Sequence, residues 1–429
     1  MWMPTLRPIA SSSRLTKRLV CPRAALVPNL PTTPRSCFSS NRLSTQRQAL
    51  GRIIPRRIAV RISGPAGAGD GYDDLPRASI WRPIVFCLGL GGGAYVIAAQ
   101  WTNHDTSKWM ERFGAGRTWR WGQAAPSDRE LLQAQRVQAA QEGQATVNTL
   151  RTRLSFLPQF ILVPILRIYV ITKNYALNSP PSQVTQLGLI SVMGTVFLAW
   201  KIRRLEPFMK RWFTHRPVVL GGGVKREWAN TVTLFTSVIS HQSLPHLAFN
   251  SLALYGFGSA AYAYLVSPLP TSTSLPSSTH TPHFLAFLLA AGLFSSLSSH
   301  LWTNIFRLPR LLTTLRSPAR ISSAEALAAH QSILPSLGAS GAIYAALTMT
   351  AMAFPDSHVS LIFLPFVSIP IGLGVSGMVA LDLLGLIRGW RMFDHVAHLG
   401  GALFGVIYYK YGRELWTWTR RQLGGVLRT

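Results

Sequence analysis

Three short stretches of this chain set polar side chains among apolar ones at spacings that could do chemistry. "LGASGAIY" carries Ser340 between Gly338 and Gly341 at the head of an apolar run. "HQSLPHLAFN" places His246 and Asn250 four residues apart, so on one helix face, with His241 just before them. "DHVAHLGGALFG" opens with His395 and His398, and Gly401 and Gly405 below them form a GxxxG pair.

Each stretch has a bland reading and a chemical one. Small residues around a serine are a helix-packing device, but they also leave a hydroxyl unshielded, as a reactive one must be. A His and an Asn on one face of an apolar helix can bond to a neighbouring helix, or they can aim two donors at a developing oxyanion. GxxxG permits close helix contact, which would hold His398 rigidly against its neighbour. A serine hydroxyl needs a base within hydrogen-bond reach at neutral pH, and with no lysine in the three stretches only histidine can serve. Together they supply a nucleophile, a base and an oxyanion hole. A zinc site built from His241, His246, His395 and His398 fits less well, since HExxH is missing and no carboxylate or cysteine is placed to complete a hydrolytic site.

These residues need elements to position them, and the composition says where those elements lie. The chain has 429 residues, 48% of them hydrophobic and only 14% charged, against about 25% charged in soluble proteins. Apolar runs near the roughly 20 residues that cross a bilayer recur, which makes this an all-α polytopic membrane protein. The net charge of +28 would ordinarily raise nucleic acid as a partner. Its arginines instead crowd the amino end and the short loops beside apolar runs, the placement of targeting signals and topology determinants; no nucleic-acid role is read. Residues 1–69 contain no Asp or Glu and are rich in arginine and serine, the pattern of a mitochondrial presequence that is removed. Two of the three cysteines, Cys21 and Cys37, fall in this leader, so no disulfide framework exists, and Cys87 reads as a small buried apolar residue.

Residues 70–184 read as a linker, a first membrane helix at about 83–100, and a soluble Ala/Gln-rich helix. Ser127 and Glu130 have the spacing of a capping box at the start of that helix. Residues 155–178 are apolar but broken by two prolines, Arg167 and Lys173, and read as a helix on the membrane surface rather than a span. Six clustered spans follow at 186–200, 246–266, 284–302, 338–354, 371–387 and 396–411, and residues 413–429 form a basic carboxyl tail.

The stretches "HLAFN", "GASGAIY" and "AHLGGALFG", in this order on separate spans, resemble the rhomboid intramembrane serine proteases. "IFLP" and "GWRMFDHVAHLGGALFG" look like the mitochondrial branch, the presenilin-associated rhomboid-like proteins and their fungal relatives. The resemblance covers residues 185–412 and implies a six-helix rhomboid core with one extra amino-terminal helix, a 1+6 plan. It implies Ser340 as nucleophile and His398 as general base, a dyad with no carboxylate member. The oxyanion hole would join the Ser340 amide to His246 and Asn250. Tyr344 would pack on the histidine, and Gly401 and Gly405 would bring the two catalytic helices together. His241 and His395 match family positions outside the catalytic set. Asp394 invites a triad reading, and Asp382, ionisable within a span, reads as an interhelical hydrogen-bonding residue.

By the same resemblance the substrates are single-span membrane proteins cut within or beside their helix, at places where Gly, Ser or Pro lets the helix unwind. No cofactor is implied, the bilayer is the obligatory partner, and the location is the mitochondrial inner membrane. A non-catalytic rhomboid-like binder or chaperone is the alternative, and a transporter or channel the next. Positive-inside logic puts the basic loops at 201–240 and 303–335 in the matrix, on the side to which the catalytic groups open. Helix parity agrees if 155–178 does not cross and reverses if it does.

Overall fold

A computed structural model of the chain describes residues 80–114, 126–218, 223–267, 275–310, 333, 335–361 and 364–424. The leader, the first part of the linker, and Arg316 and Arg320 of the second basic loop lie outside the described residues.

Helix α1 (Trp81–Gly114) extends the first expected span by several turns beyond the apolar run. Helix α2 (Asp128–Arg153) starts at the capping box, with the Ser127 hydroxyl accepting from the Glu130 N–H and the Glu130 carboxylate accepting from the Ser127 N–H at 2.8 Å. Helix α3 (Gln159–Asn178) doubles back along α2: Arg136 donates to the Ser179 carbonyl at 3.1 Å, and Lys173 lies across Gly143. Among the described residues, the packing partner of α3 is α2. Only Leu162 of α3 is buried, while Phe160, Val163, Ile168 and Ile171 are all more than half exposed.

The bundle begins at α4 (Pro181–Lys201), where proline at the first helical turn removes an N–H that would have no partner anyway. A short α5 (Glu206–Trp212) and α6 (Gly223–Thr236) lead to α7 (Leu244–Ala253), which continues through a π turn, Leu254–Gly258, into α8 (Ser259–Val266). Then come α9 (Thr281–Trp302), α10 (Ser340–Ala353), a hairpin of β1 (His358–Leu361) and β2 (Leu364–Pro370), α11 (Ile371–Arg388) and α12 (His395–Gln422). The architecture is helical as expected, with one short antiparallel hairpin added, which pairs His358 with Pro370 and Ser360 with Ser368, with a bulge before Leu361. Residues 413–422, expected as part of a tail, continue α12.

Among the described residues, five helices (α1, α3, α4, α9 and α11) are long and apolar enough to cross a membrane by length and composition. Helix α10 is shorter and sits at the centre, every residue from Gly341 to Thr350 buried and packed against α9 and α12. Its 14 residues span roughly 21 Å, less than the roughly 30 Å of a hydrocarbon core. A central helix that short starts or ends below the membrane surface, and it starts at Ser340.

At the far end from Ser340, Arg420 of α12 is buried, and each of its three guanidinium nitrogens makes a hydrogen bond. It donates to the Asn103 side chain on α1 at 2.8 Å, to the Ser277 hydroxyl at 2.6 Å and to the Pro276 carbonyl at 2.9 Å. Asp128, the first residue of α2, accepts from the Ser277 N–H at 2.7 Å. The start of α2 and the last turns of α12 therefore meet at one end of the bundle.

Candidate active site

Ser340 opens α10, and Gly338 two residues earlier makes the approach possible. Its φ of +125° is a conformation that only glycine adopts without strain, and a Cβ there would strike the His246 ring at 2.7 Å. The segment ahead of it is pinned from both sides. Ser336 exchanges two backbone hydrogen bonds with His215, at 2.9 and 2.8 Å, and the Gly338 N–H donates to the Ser237 carbonyl at 2.9 Å.

His398 lies on the first turn of α12, where the Asp394 carboxylate accepts from the Ala397 N–H and fixes the helix start. Its Nε2 is 2.9 Å from the Ser340 hydroxyl. Its ring lies parallel to that of Tyr344, 4.6 Å between centroids, a stacked contact that limits rotation of the imidazole. Glycines set this distance. A Cβ on Gly401 would fall 2.0 Å from the Gly341 carbonyl oxygen, and one on Gly405 2.4 Å from that of Ala345, so α10 and α12 touch backbone to backbone. Gly341 in turn makes room for Ser295 of α9, whose hydroxyl donates to the Ala397 carbonyl at 2.7 Å.

His246 and Asn250 share the first turns of α7 beside this pair. Ser243 caps that helix by accepting from the His246 N–H. The Asn250 amide donates one hydrogen to the His246 carbonyl at 2.8 Å, which leaves its second for another acceptor. The Ser340 N–H is the first of α10 and has no acceptor within the helix. His241 is buried, meets the His246 ring edge-on at 4.9 Å and accepts from the Ala339 N–H at 3.4 Å. Ser340 and His246 are only half-buried, so the hydroxyl is reachable. Among the described residues, a cavity of about 340 Å³ lies elsewhere between α1 and α2, and an apolar one of about 370 Å³ lies beside Trp302, Phe306 and Leu399.

Every residue that sequence reasoning placed in the site is found here, and the reading of the carboxylates changes. The expected dyad had no carboxylate member. In the structure Asp382 of α11 has Oδ1 3.2 Å from His398 Nδ1 and 2.6 Å from His395 Nδ1, while Oδ2 accepts from the Tyr344 hydroxyl at 2.6 Å. Asp394, closer to His398 in sequence, instead caps α12 and accepts from Ser299. Sequence reasoning also missed the loop anchor beneath Ser340. His215 bonds Thr233 at 3.0 Å and His300 at 3.1 Å, and burial and the neighbouring His300 push His215 down to about 3, so it is neutral. His300, alone in an apolar span, was the one signal of it. No cluster of metal-ligating residues occurs among the described residues.

A serine hydroxyl on an imidazole nitrogen, with free backbone and amide donors at adjoining helix starts, is a constellation suited to acyl transfer. A Rhomboid domain matches residues 228–414 of the chain. The chain is 26% identical over 417 residues to the human presenilin-associated rhomboid-like protein, mitochondrial, covering 90% of this chain and 88% of that one. It is 30% identical over 240 residues to the zebrafish (Danio rerio) presenilin-associated rhomboid-like protein A, mitochondrial, covering 56% and 50%. To Rhomboid protein 1, mitochondrial, of Saccharomyces cerevisiae it is 27% identical over 227 residues, covering 52% of each.

Proposed function

The chain belongs to the rhomboid family, and from that premise we propose that it is an intramembrane serine endopeptidase. The observation that carries this is the 2.9 Å contact between Ser340 Oγ and His398 Nε2, at the start of a buried central helix. In the proposed reaction Ser340 Oγ attacks the scissile carbonyl carbon as His398 Nε2 takes its proton. The Ser340 N–H, the Asn250 amide and the His246 ring hold the oxyanion, where preorganised donors act most strongly. Collapse breaks the C–N bond, and the departing amine takes the proton from His398. Water then gives a proton to His398 and attacks the acyl carbon; on collapse the proton passes back to Ser340.

The substrates are single-span membrane proteins cut within or beside a helix that unwinds easily, because a peptide bond in an intact membrane helix is shielded. The relatives are mitochondrial by name, and we place this multi-pass protein in the mitochondrial inner membrane. The plan is 1+6: α1, then α4, α7 with α8, α9, α10, α11 and α12. Helix α3 lies on the membrane surface. Its antiparallel pairing along α2 supports this, since α2 carries too many charges to cross. With the leader entering the matrix, the site then opens to the matrix.

The test is cleavage of a glycine-containing helical substrate in liposomes. Ser340→Ala should abolish it, and wild type should take up a serine-directed fluorophosphonate. Cleavage that survives Ser340→Ala overturns the reading and favours a binding or chaperone role for the same fold.

A further inference from the structure

One carboxylate gathers three donors around the candidate base. Asp382 is 4% exposed, within α11, and bonds His395 and His398 through Oδ1 and Tyr344 through Oδ2. An ionised carboxylate only accepts, so both histidines must present Nδ1–H to it. A neutral His398 with its proton on Nδ1 has a lone pair on Nε2, aimed at the Ser340 hydroxyl 2.9 Å away. That is the tautomer a general base requires. Either alternative, a carboxylate elsewhere or an amide at this position, would leave the proton free to sit on Nε2, where the nitrogen cannot accept.

We propose that Asp382 is a positioning residue for His398, fixing its tautomer and offsetting the charge it gains. His395 and Tyr344 in turn fix Asp382, so that the unit is Ser340–His398–Asp382 with two supporting donors. The geometry around His395 supports this division of roles. Its Nδ1 is spent on Asp382 at 2.6 Å and its Nε2 is buried without a partner, so it faces no substrate. Its ring occupies the space where a Cβ on Gly385 would fall, 2.4 Å from the imidazole, one turn beyond Asp382 on the same helix. Tyr344 does two things at once, stacking on the His398 ring and donating to Asp382. The proposal rests on the serine-protease reading and deepens it.

The experiment uses the full chain in liposomes and compares Asp382→Asn, His395→Asn, His395→Leu and Ser340→Ala. Asp382→Asn keeps an acceptor for Tyr344 but turns a donor toward the histidines. It should lower kcat by about 10⁴-fold with KM within about twofold, as the loss of the tautomer-fixing carboxylate does in serine proteases. Fluorophosphonate labelling should slow in parallel. His395→Asn, which keeps an N–H donor, should retain most activity, and His395→Leu should lose about tenfold or more. ¹⁵N spectra of histidine-labelled protein should show His398 protonated on Nδ1 in wild type and on Nε2 in Asp382→Asn, a change that a merely structural role would not produce. Unchanged kcat in a stably folded Asp382→Asn, or the same tautomer in both proteins, overturns the proposal. Activity surviving Ser340→Ala would overturn the underlying protease reading instead, so the two failures are distinct.

Discussion

The carbonyl oxygen of Gly341 occupies the place where Gly401 would carry a side chain, 2.0 Å from the position of its Cβ. The helices bearing the candidate nucleophile and base are in backbone contact, and the contact lies one residue after Ser340 and three after His398. The reach of an imidazole from one helix to a serine on the other is set there.

Gly401→Ala should therefore act on the site through helix separation. A methyl forced against a backbone oxygen cannot be relieved by a rotamer change, so the helices must part, at a cost of about 1–3 kcal/mol. Thermal unfolding should shift down and fluorophosphonate labelling of Ser340 should fall at least tenfold. Gly377→Ala on α11, where a Cβ meets nothing within 4 Å, should change neither. Equal labelling of the two variants would remove helix contact as the determinant.

Asn250→Ala should lower turnover without weakening substrate binding. The Asn250 amide spends one hydrogen on the His246 carbonyl, and the proposal assigns the other to an oxyanion that exists only during reaction. Loss of one such donor lowers kcat by about 10²–10³-fold. A change confined to KM would assign Asn250 to substrate binding instead.

The pairing of α3 with α2 bears on a parity that tags can read. Asp128 and Arg420 both bond Ser277, so α2 begins on the side where α12 ends. If α3 lies on the surface, a tag between α1 and α2 and a tag after α12 should be protected from added protease together. Opposite protection would mean that α3 crosses, and would turn the site toward the other face.

Acid should destabilise the loop beneath Ser340. His215, outside the spans, is neutral when folded because burial and the facing His300 hold it near 3, whereas in the unfolded chain it takes a proton below about 6.5. Its lowered folded value means the unfolded state binds the extra proton, so stability falls as pH drops through 6.5, by up to about 1.4 kcal/mol per pH unit for one group. The melting temperature of wild type should decline from pH 7 to pH 5, and His215→Asn should flatten that slope. Equal slopes would show that His215 does not titrate on unfolding.

Much of this was legible in the residues. Ser340, His398, His246 and Asn250 could be singled out because polar groups in apolar helices stand out against their surroundings, and the cost of burying them argues for a purpose. The GxxxG pair announced a close helix contact by itself, since small residues at that spacing leave a groove whatever the partner. Helix positions followed from apolar runs and from local signals such as the Ser127–Glu130 box. What sequence could not decide was which polar group meets which across the bundle. Asp394, four residues before His398, was the natural triad candidate by proximity, yet helix geometry turns it to cap α12, and Asp382, sixteen residues away, reaches the imidazole. Spacing along one helix fixes a face, but pairing between helices depends on their crossing and depth, which no local pattern encodes. The same holds for His215 and His300, and for the packing of α3 along α2, which an apolar run read as a surface helix did not announce.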